Sequence, residues 1–154
     1  MADLGSGAGY FTLKLSGVVG ARGQVWAVDI RKLSLSFLWI RAALRSPHNV
    51  RVAVGDEEDP HLPEGAVDAV LIANTYHELR DPQGMLAHVW RSLRPGGRLV
   101  IVDRAKDIDP GHQIPLPTVE AEVRANGFEI VSQQDTFIDR PGEDSWWLLV
   151  ARKP

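Results

Sequence analysis

The sequence contains no cysteine, which excludes a disulfide framework and any thiolate-ligated metal centre. It also has no run of about eighteen apolar residues, so no transmembrane helix is expected. The opening residues, Met1-Ala2-Asp3-Leu4-Gly5, lack the basic and then apolar pattern of a secretory signal. Positive charge is not in global excess: the formal net charge is −3, and nothing at that level calls for a nucleic-acid partner. Arg41 with Arg45, and Arg91 with Arg94 and Arg98, form only small groups of the kind that solvated helix faces carry. No repeat, low-complexity tract or linker interrupts the chain. The expectation is a single cytoplasmic domain over residues 1–154, with no membrane partner and with nucleic acid disfavoured. With 44% hydrophobic and 24% charged residues it has the makings of an ordinary core.

Short apolar runs alternate with amphipathic stretches, and glycines punctuate the joins. This pattern predicts a parallel sheet with crossover helices. Strands are expected at Gln24–Val28, Val50–Val54, Ala69–Ala73 and Arg98–Val102, and Met1–Leu4 supplies a stub of a first strand. Helices are expected at Tyr10–Ser16, Lys32–Arg45, Pro82–Leu93 and Thr118–Asn126. Arg94-Pro95-Gly96-Gly97 closes the third helix, because proline cannot continue it and glycine permits the turn. Phe128–Gln134 and Trp146–Arg152 are extended runs joined by a polar turn without a helix, which reads as an antiparallel pair. The expected fold is therefore α/β, mostly parallel, closed by a C-terminal antiparallel hairpin strand, with helices on both faces.

Chemistry concentrates at the joins. In Asp3-Leu4-Gly5-Ser6-Gly7-Ala8-Gly9-Tyr10 a strand turns into a helix. Glycines let the backbone turn sharply and approach a ligand closely, and the helix start offers unpaired N–H groups. Asp29 ends the next strand, beside that loop, where a carboxylate can accept bonds from both hydroxyls of a ribose. Alone, Asp29 reads equally as a solvated strand-end residue. Asp56, in Val54-Gly55-Asp56-Glu57, ends the third strand and suits an adenine amino group, or simply a turn.

Three such features in order on successive strand ends resemble the class I S-adenosylmethionine-dependent methyltransferases, in the branch with quinone-biosynthesis and arsenite methyltransferases. The resemblance runs through Asp3–Tyr10, Val25–Asp29, Gly55-Asp56-Glu57, Asp68–Leu79 and Leu93-Arg94-Pro95-Gly96-Gly97. It implies a Rossmann-like methyltransferase sheet of seven strands and S-adenosylmethionine as cofactor. It also implies roles. Asp3 with the loop Gly5, Ser6, Gly7 and Gly9 would hold the methionine portion. Asp29 and Ile30 would meet the ribose; Gly55, Asp56 and Glu57 would meet the adenine; Asn74 would complete the cofactor contacts. The rival, a nicotinamide-dependent oxidoreductase, uses G-x-G-x-x-G, whereas the third glycine here comes one residue early.

Methyl transfer from a sulfonium is a direct displacement, so rate comes from alignment and exclusion of water, and a base is needed only for an acceptor with a proton to lose. The candidates are His77 as base, Glu78 to orient it or the substrate, and Tyr10, whose ring would face the sulfonium. His77 and Glu78 also read as polar residues leading into the next helix, and Tyr10 as an aromatic packed on the sheet. The loop Asp103–Gln113 follows the fifth strand, and its His112 is a candidate substrate contact. No His, Asp and Glu arrangement has metal-ligand spacing, so no metal is expected.

Family members carry helices ahead of the first strand that lid the acceptor pocket. This sequence starts at the strand, which leaves the expectation of an open site or one closed by another chain. In Lys32–Arg45, Leu33, Phe37, Ile40 and Leu44 form one apolar stripe while Leu35, Leu38 and Trp39 fall off it, so the helix is apolar on more than one side. Such a helix reads either as one that the core curls further round or as a docking surface for a homodimer or a partner protein. The expected activity is methyl transfer to a small molecule at oxygen, nitrogen or sulfur; the alternative is a cofactor-binding subunit that supports a partner enzyme.

Overall fold

The first strand is only three residues long, yet it sits inside the sheet with a parallel neighbour on either side. In the computed structural model, which describes residues 1–45, 48–106, 113–139 and 145–154, β1 (Ala2–Leu4) is wholly buried. After it come α1 (Tyr10–Val19), β2 (Val25–Asp29), α2 (Lys32–Arg45), β3 (Val50–Val54) and β4 (Val67–Ala73). A single 3-10 turn at Tyr76–Glu78 precedes α3 (Pro82–Ser92), β5 (Leu93–Lys106), α4 (Leu116–Ala125), β6 (Glu129–Asp139) and β7 (Ser145–Arg152). Among the described residues these strands form one seven-stranded sheet in the order β3-β2-β1-β4-β5-β7-β6. β1 pairs in parallel with both β2 and β4, as Asp3 opposite Ala27 and Leu71 shows. β7 runs antiparallel to β5 and to β6. The expected α/β methyltransferase-type sheet with its closing hairpin is therefore present.

Helices cover both faces because successive strand residues point to opposite sides. On one face Leu13 of α1 and Leu35 and Leu38 of α2 pack on Ala27, Val50 and Val52. On the other, Leu86 and Val89 of α3 and Val119 and Val123 of α4 join Val70, Ile72, Leu99 and Ile101. From β1 the chain runs outward to β2 and β3, then returns to β4 on the opposite side of β1. That reversal opens a crevice above the C-terminal ends of β1 and β4, where ligands of open α/β sheets bind.

The elements differ from expectation mainly at their ends. β5 begins at Leu93, which pairs with Val67, and the chain bends at Gly96 (φ +78°) before pairing resumes at Arg98. α1 continues past Ser16 to Val19, and the Gly20 N–H closes it on the Ser16 carbonyl. α4 starts at Leu116, because Pro117 falls in the first turn, where its missing N–H goes unused. β6 extends beyond Gln134 to Asp139. α2 has the expected bounds, but Leu35, Leu38 and Ala42 are the residues it buries, and the Leu33-Phe37-Ile40-Leu44 stripe faces solvent. No helix among the described residues is long and apolar enough to cross a membrane.

Candidate functional site

A cavity of about 310 Å³ opens at the crevice between the ends of β1 and β4, a volume within the ordinary range for small-ligand sites. Gly5 and Gly7 form its floor, Asp29, Ile30 and Arg31 one side, and Gly55, Asp56 and Glu57 another; Asn74, Thr75 and Glu78 complete the rim. Leu4, Val28, Ile72, Leu79 and Met85 give it an apolar lining. Nine residues expected from the sequence thus meet at one cavity: Gly5, Gly7, Asp29, Ile30, Gly55, Asp56, Glu57, Asn74 and Glu78.

The glycines are there for space and for torsion. Gly5 (φ +71°) lies under Thr75, and a Cβ on it would run into that side chain. Gly9 (φ +86°) lies under Leu38 in the same way, so α2 packs directly on the loop and Gly9 faces the core instead of the cavity. Gly7 has open space around it but a φ of +51°, which L side chains adopt at a cost.

Asp29 organises this loop. Its Oδ2 accepts the Gly7 N–H at 2.7 Å, and its Oδ1 accepts the Arg31 N–H at 2.8 Å. Each carboxylate oxygen has a second lone-pair direction, so the group can fix the loop and still receive a pair of ligand hydroxyls. Asp56 is engaged in its own turn, where the Asp59 and Glu58 N–H groups hold its carboxyl below the usual carboxylate range. Its second oxygen lies 3.2 Å from His61 Nε2. The turn-forming reading of Asp56 is thus met, on a residue that also lines the cavity.

Asp3, Ser6, Gly9, Tyr10 and His77 lie off the cavity lining. Asp3 is buried beneath the loop, and its Oδ2 accepts the Thr12 hydroxyl at 2.5 Å. Burial pushes its pKa up to about 6, in spite of that hydrogen bond. Ser6 Oγ, among the described residues, is a buried polar atom with no partner. Tyr10 is 62% exposed, and Lys14 Nζ lies 4.3 Å from the centre of its ring, so a lysine occupies the face expected for the sulfonium.

Above the cavity runs a row of charged groups. Arg31 pairs with Glu78 Oε2 at 3.1 Å, and Glu78 Oε1 lies 4.0 Å from His77 Nε2. His77 Nδ1 lies 2.8 Å from Oδ1 of the fully buried Asp103. Asp103 also accepts the N–H of His77 (3.1 Å) and of Arg104 (2.8 Å). A second rim pair, Arg80 with Glu57, closes at 2.8 Å. Asn74 carries a φ of +54°, and its side-chain oxygen accepts from Arg104 Nε at 2.9 Å. Asparagine is among the few residues that tolerate that backbone region. Tyr76 donates its hydroxyl to Glu122 at 2.6 Å, which anchors the turn bearing His77 and Glu78 to α4.

Asp103 and Thr75 were not singled out by sequence reasoning. Asp103 follows an apolar run much as Asp29 does, and that position was the available signal; Thr75 left none, because its role is contact with Gly5. His112 lies outside the described residues.

A protein-family model described as "Methyltransferase domain" matches residues 2–101, well over half of the chain. The chain belongs to the class I S-adenosylmethionine-dependent methyltransferases. Ubiquinone/menaquinone biosynthesis C-methyltransferase UbiE of Vibrio cholerae is 32% identical over 109 residues, covering 69% of this chain and 41% of the relative. The chain therefore spans about two fifths of the length of such curated relatives. A solved S-adenosylmethionine-dependent methyltransferase from Aquifex aeolicus superposes with a TM-score of 0.87 at 25% identity, covering 99% of this chain and 81% of that one. A methyltransferase in complex with the Haloferax volcanii Trm112 activator shares the fold, with a TM-score of 0.79 at 18% identity over 99% and 81% of the two chains.

The cofactor of this methyltransferase family is S-adenosylmethionine, and the residues present fit it. The floor excludes any Cβ at Gly5, the wall carries a carboxylate with open acceptor directions, and an apolar lining suits a purine ring.

Proposed function

We propose that this methyltransferase domain binds S-adenosylmethionine in the cavity beside Asp29 and methylates a small-molecule acceptor. The observation that carries the reading is Asp29 itself, a carboxylate at the end of β2 that fixes Gly7 and Arg31 through one lone pair per oxygen. Its remaining acceptor directions bind the two ribose hydroxyls. Gly55, Asp56 and Glu57 with Val28 border the adenine, and Gly5, Gly7 and Asn74 the methionine portion. When bound, the cofactor supplies an electrophilic methyl group on a sulfonium, already a good leaving group.

The chain's own residues align the acceptor and exclude water. Glu78 is the cavity carboxylate on the turn after β4, and His77 stands behind it, oriented by Asp103. For an acceptor that loses a proton, Glu78 receives or relays it, and His77, held by Asp103, positions Glu78. Oxygen, nitrogen and sulfur acceptors are proposed, and the C-methyltransferase name of the Vibrio relative adds carbon to the atoms worth screening.

A second reading, a cofactor-binding subunit that supports a partner enzyme, is favoured by the exposed apolar face of α2. Calorimetric titration with S-adenosylmethionine, S-adenosylhomocysteine and NAD tests the cofactor site. Micromolar binding of the two sulfur ligands, weakened at least tenfold in Asp29→Ala and absent for NAD, is expected. No binding of either sulfur ligand overturns both readings, whereas binding without turnover on any acceptor favours the subunit.

A further inference from the structure

The outer side of α2 is apolar where a solvated helix is ordinarily polar. Leu33, Phe37, Ile40 and Leu44 recur at helical spacing on the side opposite the buried Leu35, Leu38 and Ala42, and Leu33 and Leu44 are 71% and 81% exposed. Trp39, also exposed, lies off this ridge, beside Trp26, Ala42 and His48 at the edge of the sheet. α1, on the same face of the sheet, adds exposed Phe11 and Val18. An exposed ridge of this kind marks a contact surface.

Its charge says what the contact is. Between Leu4 and Val50 the basic residues are Lys14, Arg22, Arg31, Lys32, Arg41 and Arg45, and the one acid is Asp29, which is buried in the site. The chain as a whole is at −3, so the acid excess lies elsewhere. Lys32 flanks the ridge on one side and Arg41 and Arg45 on the other. An apolar ridge with basic flanks and no acid is the composition of a helix that lies in the headgroup region of an anionic bilayer. A second copy of the chain would instead bring these like charges together. A convex helical ridge also suits a deformable plane better than a preformed groove.

We propose that the outer face of α2, with α1 beside it, docks on an anionic lipid surface. Lying at a surface needs no spanning helix, so the lack of one among the described residues bears only on crossing. Arg31, on the rim of the cavity, directly precedes the helix, so a docked α2 brings the cavity mouth beside the headgroups.

Co-sedimentation of the full chain with sucrose-loaded vesicles tests this, using phosphatidylcholine alone against phosphatidylcholine mixed with phosphatidylglycerol. Binding is expected only to the mixed vesicles, weakened about tenfold or more between ~0.05 and ~0.5 M salt. Leu33→Ser/Phe37→Ser and, separately, Lys32→Glu/Arg45→Glu should each cut partitioning about tenfold or more. All these side chains are exposed, so circular dichroism and the cofactor titration should match the parent chain. Absence of binding to mixed vesicles overturns the proposal, as does binding that both variants retain. A dimer in sedimentation equilibrium that the Leu33→Ser/Phe37→Ser variant abolishes, without vesicle binding, assigns the ridge to self-association. Stoichiometric capture of a defined acidic protein under the same conditions assigns it to a protein partner.

Discussion

His77 Nδ1 meets Asp103 Oδ1 at 2.8 Å, and the two residues join the turn after β4 to β5 through a second bond from the His77 N–H to the same carboxylate. With Nδ1 directed at a carboxylate, the imidazole carries its proton there, and Nε2 is the nitrogen directed toward Glu78 at 4.0 Å. Arg31 reaches Glu78 from the other side. The cavity rim and the sheet core are thus connected by four side chains in a row.

The row separates contact from positioning. Glu78→Gln is expected to lower kcat about 100-fold for an acceptor that loses a proton, within the usual range for a general base. Cofactor affinity should change less than about threefold. Asp103→Asn leaves one oxygen for donors that two carboxylate oxygens share, and should lower kcat less than Glu78→Gln does. Steady-state kinetics with titrated cofactor affinities checks both. Equal losses of kcat and cofactor affinity would reduce the row to a structural support.

Asp3 gives the stability of the domain a pH dependence of defined sign. Burial raises its pKa from 3.8 to about 6 in the folded protein. The folded state therefore holds a proton that the unfolded state has released across that interval. Stability contributed by this group is present below about pH 4, declines as pH rises through 6, and is flat above. The shift corresponds to roughly 1–3 kcal/mol. Asp3→Asn, which can still accept the Thr12 hydroxyl, should remove the slope and raise stability at pH 7. Urea titrations at pH 4, 5, 6 and 7 measure it, and an unchanged slope in the variant would refute the assignment.

Fold class, strand order of the chemistry and most of the cavity wall were legible in the sequence, because strand-end carboxylates and turn glycines are local signals. Asp29 and the Gly5-Ser6-Gly7 loop could be placed from Val25–Val28 and a helical pattern after Tyr10. The orientation of α2 could not. Leu33, Phe37, Ile40 and Leu44 make the wider stripe, but Gly9 admits Leu38 against the loop and so turns Leu35, Leu38 and Ala42 inward. Tyr10 is similar. Its position just past the glycines suggested the cavity, whereas the side chain points outward and packs with Lys14. Asp103 and Thr75 act through contacts across the sheet, which no single segment encodes.

Lys153 closes the C-terminal end of α3 from sixty residues away in sequence. Its nearly buried ammonium donates to the carbonyls of Trp90 (2.8 Å) and Leu93 (2.7 Å) and lies 3.8 Å from the centre of the Trp90 ring. Cations favour this end of a helix, where carbonyls lack partners. Lys153→Met keeps the stem but leaves both carbonyls unanswered, and should cost about 2–4 kcal/mol. A fall of roughly 5–15 °C in Tm follows for a domain of this size. A change below 2 °C would mean that water replaces the ammonium without loss.

The floor of the cavity gives the sharpest contrast, because Gly5 and Gly7 share a positive φ and differ in space. Gly7→Ala meets no atom and incurs only the torsional cost, about 1–2 kcal/mol. Gly5→Ala incurs that cost and also drives its methyl into Thr75. A destabilisation above about 3 kcal/mol is expected, with cofactor affinity lost as the rim is pushed aside. Thr75→Gly placed on Gly5→Ala should return the steric share and leave the torsional share, so the double variant should resemble Gly7→Ala in stability. Thermal unfolding of the three variants, with cofactor titration of each, tests the assignment. A double variant as unstable as Gly5→Ala alone would show that the torsion at Gly5, and not its contact with Thr75, sets the requirement for glycine.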